Sequence, residues 1–278
     1  MHYSLNIDRT TQGIPGISDT FGAAMWAADY VLQLGSIGFV AAFIHTREQG
    51  ISYNLVTPPT VDLINGQWVT NPPFYALITV AEMLQSDNGV IVADLNIAGS
   101  TTNPNAGVAG YAIYDSSNSS VIRTVLFNFG NSSTTFTLPS NSASTASSTT
   151  VKYLSAPSAT ENNTIAWGGE TYLGAGDGKL IAPPNGSSWA VPNNQMDCSN
   201  GCSVDVPGPS IAVVFYTPVS INLETSSSGT NSSNSSNSSS SGSNNNQSPS
   251  HQSGEGRGLV VSKRLLGLGV LFLVGLFQ

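Results

Sequence analysis

The chain has 278 residues, a formal net charge of −8, and only 9% charged residues against 40% hydrophobic ones. That length holds one or two domains with a sizeable core. Eight basic residues against sixteen acidic ones leave no basic footprint for a phosphate backbone, which excludes nucleic acid as a partner. A charged fraction far below the usual quarter, with Ser, Thr and Asn in its place, is the surface expected of a secreted protein solubilised by sugars.

The first sixteen residues, Met1 to Gly16, have neither a basic n-region nor an apolar h-region, so they do not read as a signal peptide. Ser18 then precedes a run in which Phe21, Ala24, Met25, Ala28, Val31 and Leu32 recur at helical spacing. Ser18 is placed to accept backbone amide hydrogen bonds, Asp19 lies in the first turn where it favours the helix dipole, and Gly35 is placed to end the helix. Asp29 sits on the same predicted helix. Directly after it, Gly38 to Ile44 (GFVAAFI) is a short, wholly apolar run that reads as a buried strand, with His45 and Arg47 at its polar end. A Pro-rich polar loop, Glu48 to Pro73, leads to a second helix, Phe74 to Gln85.

From Val90 the pattern changes to short strand-like runs divided by Gly, Pro, Asn and Ser: VIVADLNI, VAGYAIYD, VIRTVLFNF, TTFTL, VKYLSAP, TIAWGGETYL and SIAVVFYTPV. An antiparallel β-sandwich is the expectation. Cys198 and Cys202 are the only cysteines, and with no neighbouring His or Cys a zinc site would lack ligands, so a small-loop disulfide is expected. Asp94, Asp115, Asp177 and Asp205 are scattered and form no calcium loop; no metal and no cofactor is expected. Asn-x-Ser/Thr sequons at Asn118, Asn131, Asn162 and Asn185 alternate with the apolar runs and suit glycan-bearing loops, and four more follow at Asn231, Asn234, Asn237 and Asn246.

Thr225 to Ser253 contains no large apolar residue and reads as a disordered stalk, which ends the folded part near Leu223. Small residues at Gly254 and Gly256, a polar spacer from Arg257 to Arg264, and the apolar Leu265 to Phe277 then follow the order of a glycosylphosphatidylinositol (GPI) attachment signal. The alternative is a tail-anchor helix lengthened by Gly258 to Val261. It would bury Lys263 and Arg264 at a cost of roughly 2.5 to 3.5 kcal/mol each. The tail implies a GPI-anchored location on the extracellular face of the plasma membrane or in the cell wall. An exit signal without an entry signal is most simply read as a chain whose beginning is missing or misassigned. The expected organisation is an α/β layer over 1–88, a β-domain over 89–223, a stalk over 224–256 and a hydrophobic signal over 257–278.

The stretch GIPGISDTFGAAMWAADYVLQLGSIGFVAAFIHTREQGISYNLVTPP resembles fungal glycoside hydrolase family 79, the β-glucuronidases related to heparanase. The likeness continues through PPFYALITVAEML into GYAIYD, RTVLFNF and CSVDVPGPSIAVVFY, and so covers about Gly13 to Thr217. The resemblance implies an α+β chain: the last βα units of a (β/α)8 barrel, with Ser18–Gly35 as the seventh helix and Gly38–Ile44 as the eighth strand, followed by the antiparallel β-sandwich. Barrel catalysis sits at the carboxyl ends of strands, where His45 and Arg47 fall.

Retaining glycosidases need two carboxyls about 5 Å apart. In the family one glutamate ends strand seven and the other lies far upstream. Here the corresponding stretch is SLNIDRTTQG, whose only carboxylate is Asp8, and the first glutamate is Glu48. Asp8 is a methylene shorter and its surroundings depart from the pattern, while Glu48 reads as a loop carboxylate paired with Arg47, so no catalytic residue is assigned. By resemblance Tyr53 lines the subsite for the uronic acid, His45 stands at the strand mouth, and Gly13, with Gly16, keeps the loop whose backbone approaches the sugar. A packed loop tyrosine and a hydrogen-bonded rim histidine are the alternatives for the first two, and the family's glycine pair is incomplete at Gln12.

Two functions follow. One is the C-terminal portion of a β-glucuronidase-like hydrolase acting on glucuronic-acid-containing glycans, without hydrolytic activity in this polypeptide. The other is a non-enzymatic, lipid-anchored surface module for carbohydrate binding or wall organisation, with Trp167 and Trp189 either as sugar platforms or as packing residues.

Overall fold

The computed structural model describes residues 4–5, 13–47, 49–59, 68–103, 105–145, 149–175, 178–184 and 187–217. Asp8, Glu48, Asp177, Asn185, the stalk with its sequons and the apolar tail lie outside the described residues. In chain order the elements are β1 (Ser4–Leu5), α1 (Phe21–Ser36), β2 (Phe43–Ile44), β3 (Val56–Thr57), β4 (Val69–Thr70), α2 (Pro72–Leu84) and β5 (Val90–Asp94). Then come β6 (Val108–Asp115), β7 (Val121–Asn128), β8 (Thr134–Leu138), β9 (Thr150–Ser155), β10 (Ala166–Trp167), β11 (Asn194–Gln195), β12 (Cys202–Val206) and β13 (Ser210–Phe215).

Strand β13 (SIAVVF) is buried at all six positions. A strand apolar on both faces must lie inside a sheet that is covered on both sides. It does: β13 pairs antiparallel with β7 on one edge, Val213 opposite Val125, and with β9 on the other, Val213 opposite Lys152. The sheet has seven strands, ordered β10-β9-β13-β7-β6-β5 with β11 joined to β9. Alternation then divides the core. Ile211, Val213, Phe215, Leu154, Phe127 and Tyr111 pack with residues of α1 and α2, whereas Ala212, Val214, Leu126, Val151 and Tyr153 meet Phe136, Leu138, Val204 and Val206 of the two-stranded ribbon β8–β12. The described β-region is thus one large antiparallel sheet with helices over one face and a ribbon over the other.

The helices form where the apolar period predicts, with corrected ends. Thr20, not Ser18, is the N-cap of α1, and its hydroxyl accepts from the Ala23 amide at 3.4 Å. Ser18 instead closes the preceding turn by accepting from the Ile14 N–H at 3.0 Å, and Asp19 lies before the helix, accepting from the Gly16 N–H at 2.6 Å. The first amides of the helix, Phe21 and Gly22, donate to the carbonyls of Glu161 and Ala159, both at 2.7 Å, so a tertiary contact chooses the start. Gly35 does not end the helix: it lies inside it against Val92, and the left-handed turn falls on Gly38 at φ +90°. In the predicted strand Gly38–Ile44 only Phe43 and Ile44 pair, in parallel, with Ser4 and Leu5. Val40, in the unpaired part, is 63% exposed. Among the described residues parallel pairing is confined to β1 and β2, and every other pairing is antiparallel.

Polar groups fasten the helices to the sheet. Glu82 of α2 forms an ion pair with Lys152 of β9 and accepts from the Trp167 indole N–H at 2.7 Å. Trp167 is only 4% exposed, so it packs in the core and offers no platform to a sugar. Arg123 of β7 lies over the Phe215 ring, 5.4 Å from its centroid. It is 3% exposed, with Nε and Nη1 buried and lacking a hydrogen-bond partner. Burial pulls its guanidinium down to about 10, against an opposing attraction from Glu82. On the other helix the Tyr111 hydroxyl donates to Asp29 at 2.6 Å. Burial raises the Asp29 carboxyl above its ordinary value, outweighing the Tyr111 bond that lowers it, and Asp94 adds a smaller upward push.

Two stability predictions result. Arg123→Met keeps most of the packed volume and removes a buried cation without full hydrogen bonding; it is expected to stabilise the fold by about 1 kcal/mol, read as a higher urea midpoint at unchanged slope. Asp29→Asn retains an acceptor for Tyr111 and deletes a charge that the fold disfavours. Because the folded carboxyl titrates above its ordinary 3.8, its protonated form is favoured in the fold, and wild-type stability falls as pH rises from that value through the raised one. The melting-temperature advantage of Asp29→Asn over wild type is therefore expected to grow from acid to neutral pH; an advantage that shrinks over that range contradicts the assignment.

Candidate functional site

The carboxyl end of β2 leads into His45, which is half-buried, and into a loop that returns Tyr53 to it: the two rings lie 6.1 Å apart at 39°. Gly13 completes the group from the other side. At φ +69° it adopts the left-handed backbone that favours glycine, and a Cβ there would meet Tyr53 Cδ1 at 2.8 Å and the Ser18 side chain at 3.2 Å. The structure therefore brings Gly13, His45 and Tyr53 together, although they are spread over forty residues of chain. Tyr53 is 4% exposed, its ring wedged between histidine and glycine, and His45 Nδ1 is buried without a hydrogen-bond partner.

Asn54 sets this geometry. Its side-chain oxygen accepts from Thr46 Oγ1 at 3.0 Å and from the Arg47 N–H at 2.8 Å, tying the strand end to the loop. Its own carbonyl accepts from Asn71 Nδ2 at 2.8 Å, and the same amide reaches Thr57 Oγ1 at 2.9 Å, so the β3–β4 hairpin and the start of α2 are held to the same point. Asn54 is 3% exposed. A polar side chain so buried is stable only when its groups are paired, as these are. In sequence it stood in an undifferentiated polar loop; an asparagine beside the candidate tyrosine was the only signal.

The carboxylates with defined contacts are committed elsewhere. Asp19 binds the Gly16 amide, Asp29 the Tyr111 hydroxyl, Glu82 Lys152 and Trp167, Asp94 the Asn96 amide at 2.7 Å, and Asp205 the hydroxyl of Thr135 at 2.5 Å. Among the described residues no group of three or more His, Cys, Asp or Glu is placed to hold a metal. Cys198 and Cys202 are joined in a disulfide at the foot of β12, where the Cys198 amide donates to Ser144 Oγ at 2.7 Å and its carbonyl accepts from Asn141 at 2.9 Å. The sequon residues Asn118, Asn131 and Asn162 are all exposed and lie outside the strands. Trp189 is half-buried, and its carbonyl accepts from Ser155 Oγ at 2.7 Å.

Residues 110–213, from β6 to β13, match the glycosyl hydrolase family 79 C-terminal beta domain. A protein named beta-glucuronidase from Aspergillus niger is 31% identical over 117 residues, 42% of this chain and 20% of that protein. Another beta-glucuronidase, from Neurospora crassa, is 36% identical over 73 residues, 26% of this chain and 12% of the relative. The chain thus spans a fifth or less of the length of these relatives. Among solved structures, a GH30 endoxylanase from Clostridium papyrosolvens C71 aligns over 75% of this chain and 41% of its own at 16% identity, with a TM-score of 0.37. A glycoside hydrolase family 30 subfamily 8 xylanase from Clostridium acetobutylicum aligns over 70% and 39% at 14% identity, with a TM-score of 0.39.

Gly13→Ala tests the contact on which the cluster depends. The methyl combines an unfavourable backbone region with a collision against Tyr53, and is expected to cost about 2 kcal/mol. A melting temperature lower by roughly 4–8 °C, with an altered near-UV tyrosine signal, is the expected outcome.

Proposed function

We propose that this chain is the C-terminal portion of a β-glucuronidase-like glycoside hydrolase whose complete machinery acts on glucuronides or glucuronic-acid-containing glycans. The observation that carries the reading is the family 79 β-domain over residues 110–213, whose curated relatives are named beta-glucuronidases. The grouping of Gly13, His45 and Tyr53 at the carboxyl end of a strand supports it, because barrel glycosidases work at that end. In this reading the half-buried His45 faces the uronic acid, and the buried Tyr53 ring packs beside it and sets its position. A neutral His45 offers a hydrogen bond to a hydroxyl, and a protonated one attracts the carboxylate.

Retaining hydrolysis needs a nucleophile and an acid/base, both carboxyls, flanking the anomeric carbon. The carboxylates with defined contacts serve the fold instead, so the polypeptide of this sequence is proposed to bind glucuronides weakly and not to hydrolyse them. The test is the full chain incubated with 4-nitrophenyl β-glucuronide, with binding of the same compound followed by saturation-transfer NMR. No turnover is expected, with binding that His45→Ala weakens. Turnover that survives combined Asp8→Asn and Glu48→Gln substitution overturns the account of the chemistry, and a signal indifferent to His45→Ala removes the cluster from the binding site.

A second reading rests on the sequence beyond the β-domain. The Ser/Asn-rich stretch after Glu224, followed by small residues, a polar spacer and an apolar run, has the order of a GPI signal. We propose that the β-domain is displayed on a glycosylated stalk at the outer membrane leaflet or wall. Release from intact cells by phosphatidylinositol-specific phospholipase C is the expected outcome, and retention after treatment sinks the anchor.

A further inference from the structure

A concave surface lies between α1 and the loop that follows β5, with a volume of about 400 Å³. That volume falls within the range of small-molecule sites. From the helix come Trp26, Asp29 and Gln33, spaced at three and four residues and so aligned on one face. Trp26 is 41% exposed and is backed by Tyr30, the rings nearly parallel at 5.3 Å and 24°. Across the cavity Phe129, 37% exposed, is backed in the same way by Phe127 at 5.5 Å and 23°. Each rim therefore carries an aromatic ring held in a set orientation by a neighbour and left partly open to solvent.

The polar lining is equally well supported. Ser100 contributes a hydroxyl that is shut off from solvent and has no hydrogen-bond partner, a costly state that a ligand atom would relieve. Its loop is braced: Asp94 accepts from the Asn96 amide at 2.7 Å and Thr101 Oγ1 at 3.1 Å, and Asn96 Oδ1 accepts from the Thr101 amide at 3.0 Å. Gln33 Nε2 donates to Asp94 at 2.8 Å and joins the loop to the helix. Below it Ile97 fills the space left by the missing side chain of Gly110, where a Cβ would collide with its methyl.

Fixed aromatic faces set against hydroxyl, amide and carboxylate groups suit a sugar ring, whose C–H faces stack while its hydroxyls bond in the ring plane. The charge selects among sugars. Among the described residues Asp29 is the only charged member of the lining, Asp94 is held to the neighbouring Gln33, and no Lys or Arg lines the cavity to hold an anion. A uronic acid would be repelled here. We propose that this cavity is a second carbohydrate site that takes an uncharged saccharide of hexose or pentose units, stacked on Trp26 and Phe129 and hydrogen-bonded to Ser100 and Asn103. It is separate from the Gly13–His45–Tyr53 cluster and does not rest on the glucuronide reading.

The full-length chain is titrated by calorimetry with xylohexaose, cellohexaose and laminarihexaose as neutral probes, and with a hyaluronan hexasaccharide as the acidic one. Binding of at least one neutral hexasaccharide is expected, weakened about tenfold by Trp26→Ala and unchanged in His45→Ala. Asn103→Ala, on the exposed loop, provides a second variant should the helix substitution disturb folding, and is expected to weaken the same probe. Absence of binding by all three neutral probes, binding that both Trp26→Ala and Asn103→Ala leave unchanged, or loss of neutral-probe binding in His45→Ala overturns the proposal. Tighter binding of the hyaluronan hexasaccharide that Trp26→Ala abolishes overturns the charge argument with it. Glucuronide binding lost only in His45→Ala belongs to the first site, so the two readings fail independently.

Discussion

One strand constrains everything around it. Because β13 is apolar on both faces, its sheet must be covered twice. The ribbon β8–β12 covers one face and the helices α1 and α2 cover the other. The helical layer is therefore an integral part of the core of the β-rich half. The polar fastenings follow from the same requirement: Glu82 can hold Lys152 and the Trp167 indole only because the sheet presents both toward α2. Arg123 shares that face without equal compensation.

The seating of the helices also positions both candidate surfaces. The start of α1 is chosen by carbonyls of residues 159 and 161, which brings the turn at Gly13 and Ser18 to Tyr53. The exposed face of the same helix turns Trp26 and Asp29 toward the loop after β5. One helix thus borders two surfaces of different character. The first presents the half-buried His45; the second presents stacked aromatics with carboxylates and, among the described residues, no cation, and the two proposals rest on that contrast in charge.

Much of this was legible in the sequence wherever burial is periodic. The helix spacing of Phe21, Ala24, Met25, Ala28, Val31 and Leu32 and the apolar runs of β6, β7, β9 and β13 report their own environment, because one or two faces of each element are buried along its length. Helix ends were less legible. Ser18, Asp19 and Thr20 can all cap, and the choice among them was made by hydrogen bonds to a loop about 140 residues away. The polar pair Asn194–Gln195 of β11 carried no strand signal, since both residues are exposed and its pairing depends on β9. Gly13, His45 and Tyr53 were found through resemblance, whereas Asn54 and Trp26 were not singled out. A buried clamp amid polar residues and a tryptophan on the open side of an amphipathic helix look ordinary until their neighbours are known.

The family match begins at Gly110, inside β6, and ends at Val213, inside β13. Those limits describe recurring sequence and do not mark a unit that can stand alone. A polypeptide cut there would lose β5, the first residues of β6 and the last of β13, and would bare Ile113, Phe127 and Ile211 where α1 and α2 had covered them. Such a fragment would present a wide greasy surface beside an unpaired strand edge, the combination that drives chains to associate. Production of a well-behaved β-domain therefore calls for carrying the helices from Gly13 onward, so that the practical boundary of the domain lies nearly a hundred residues before its signature.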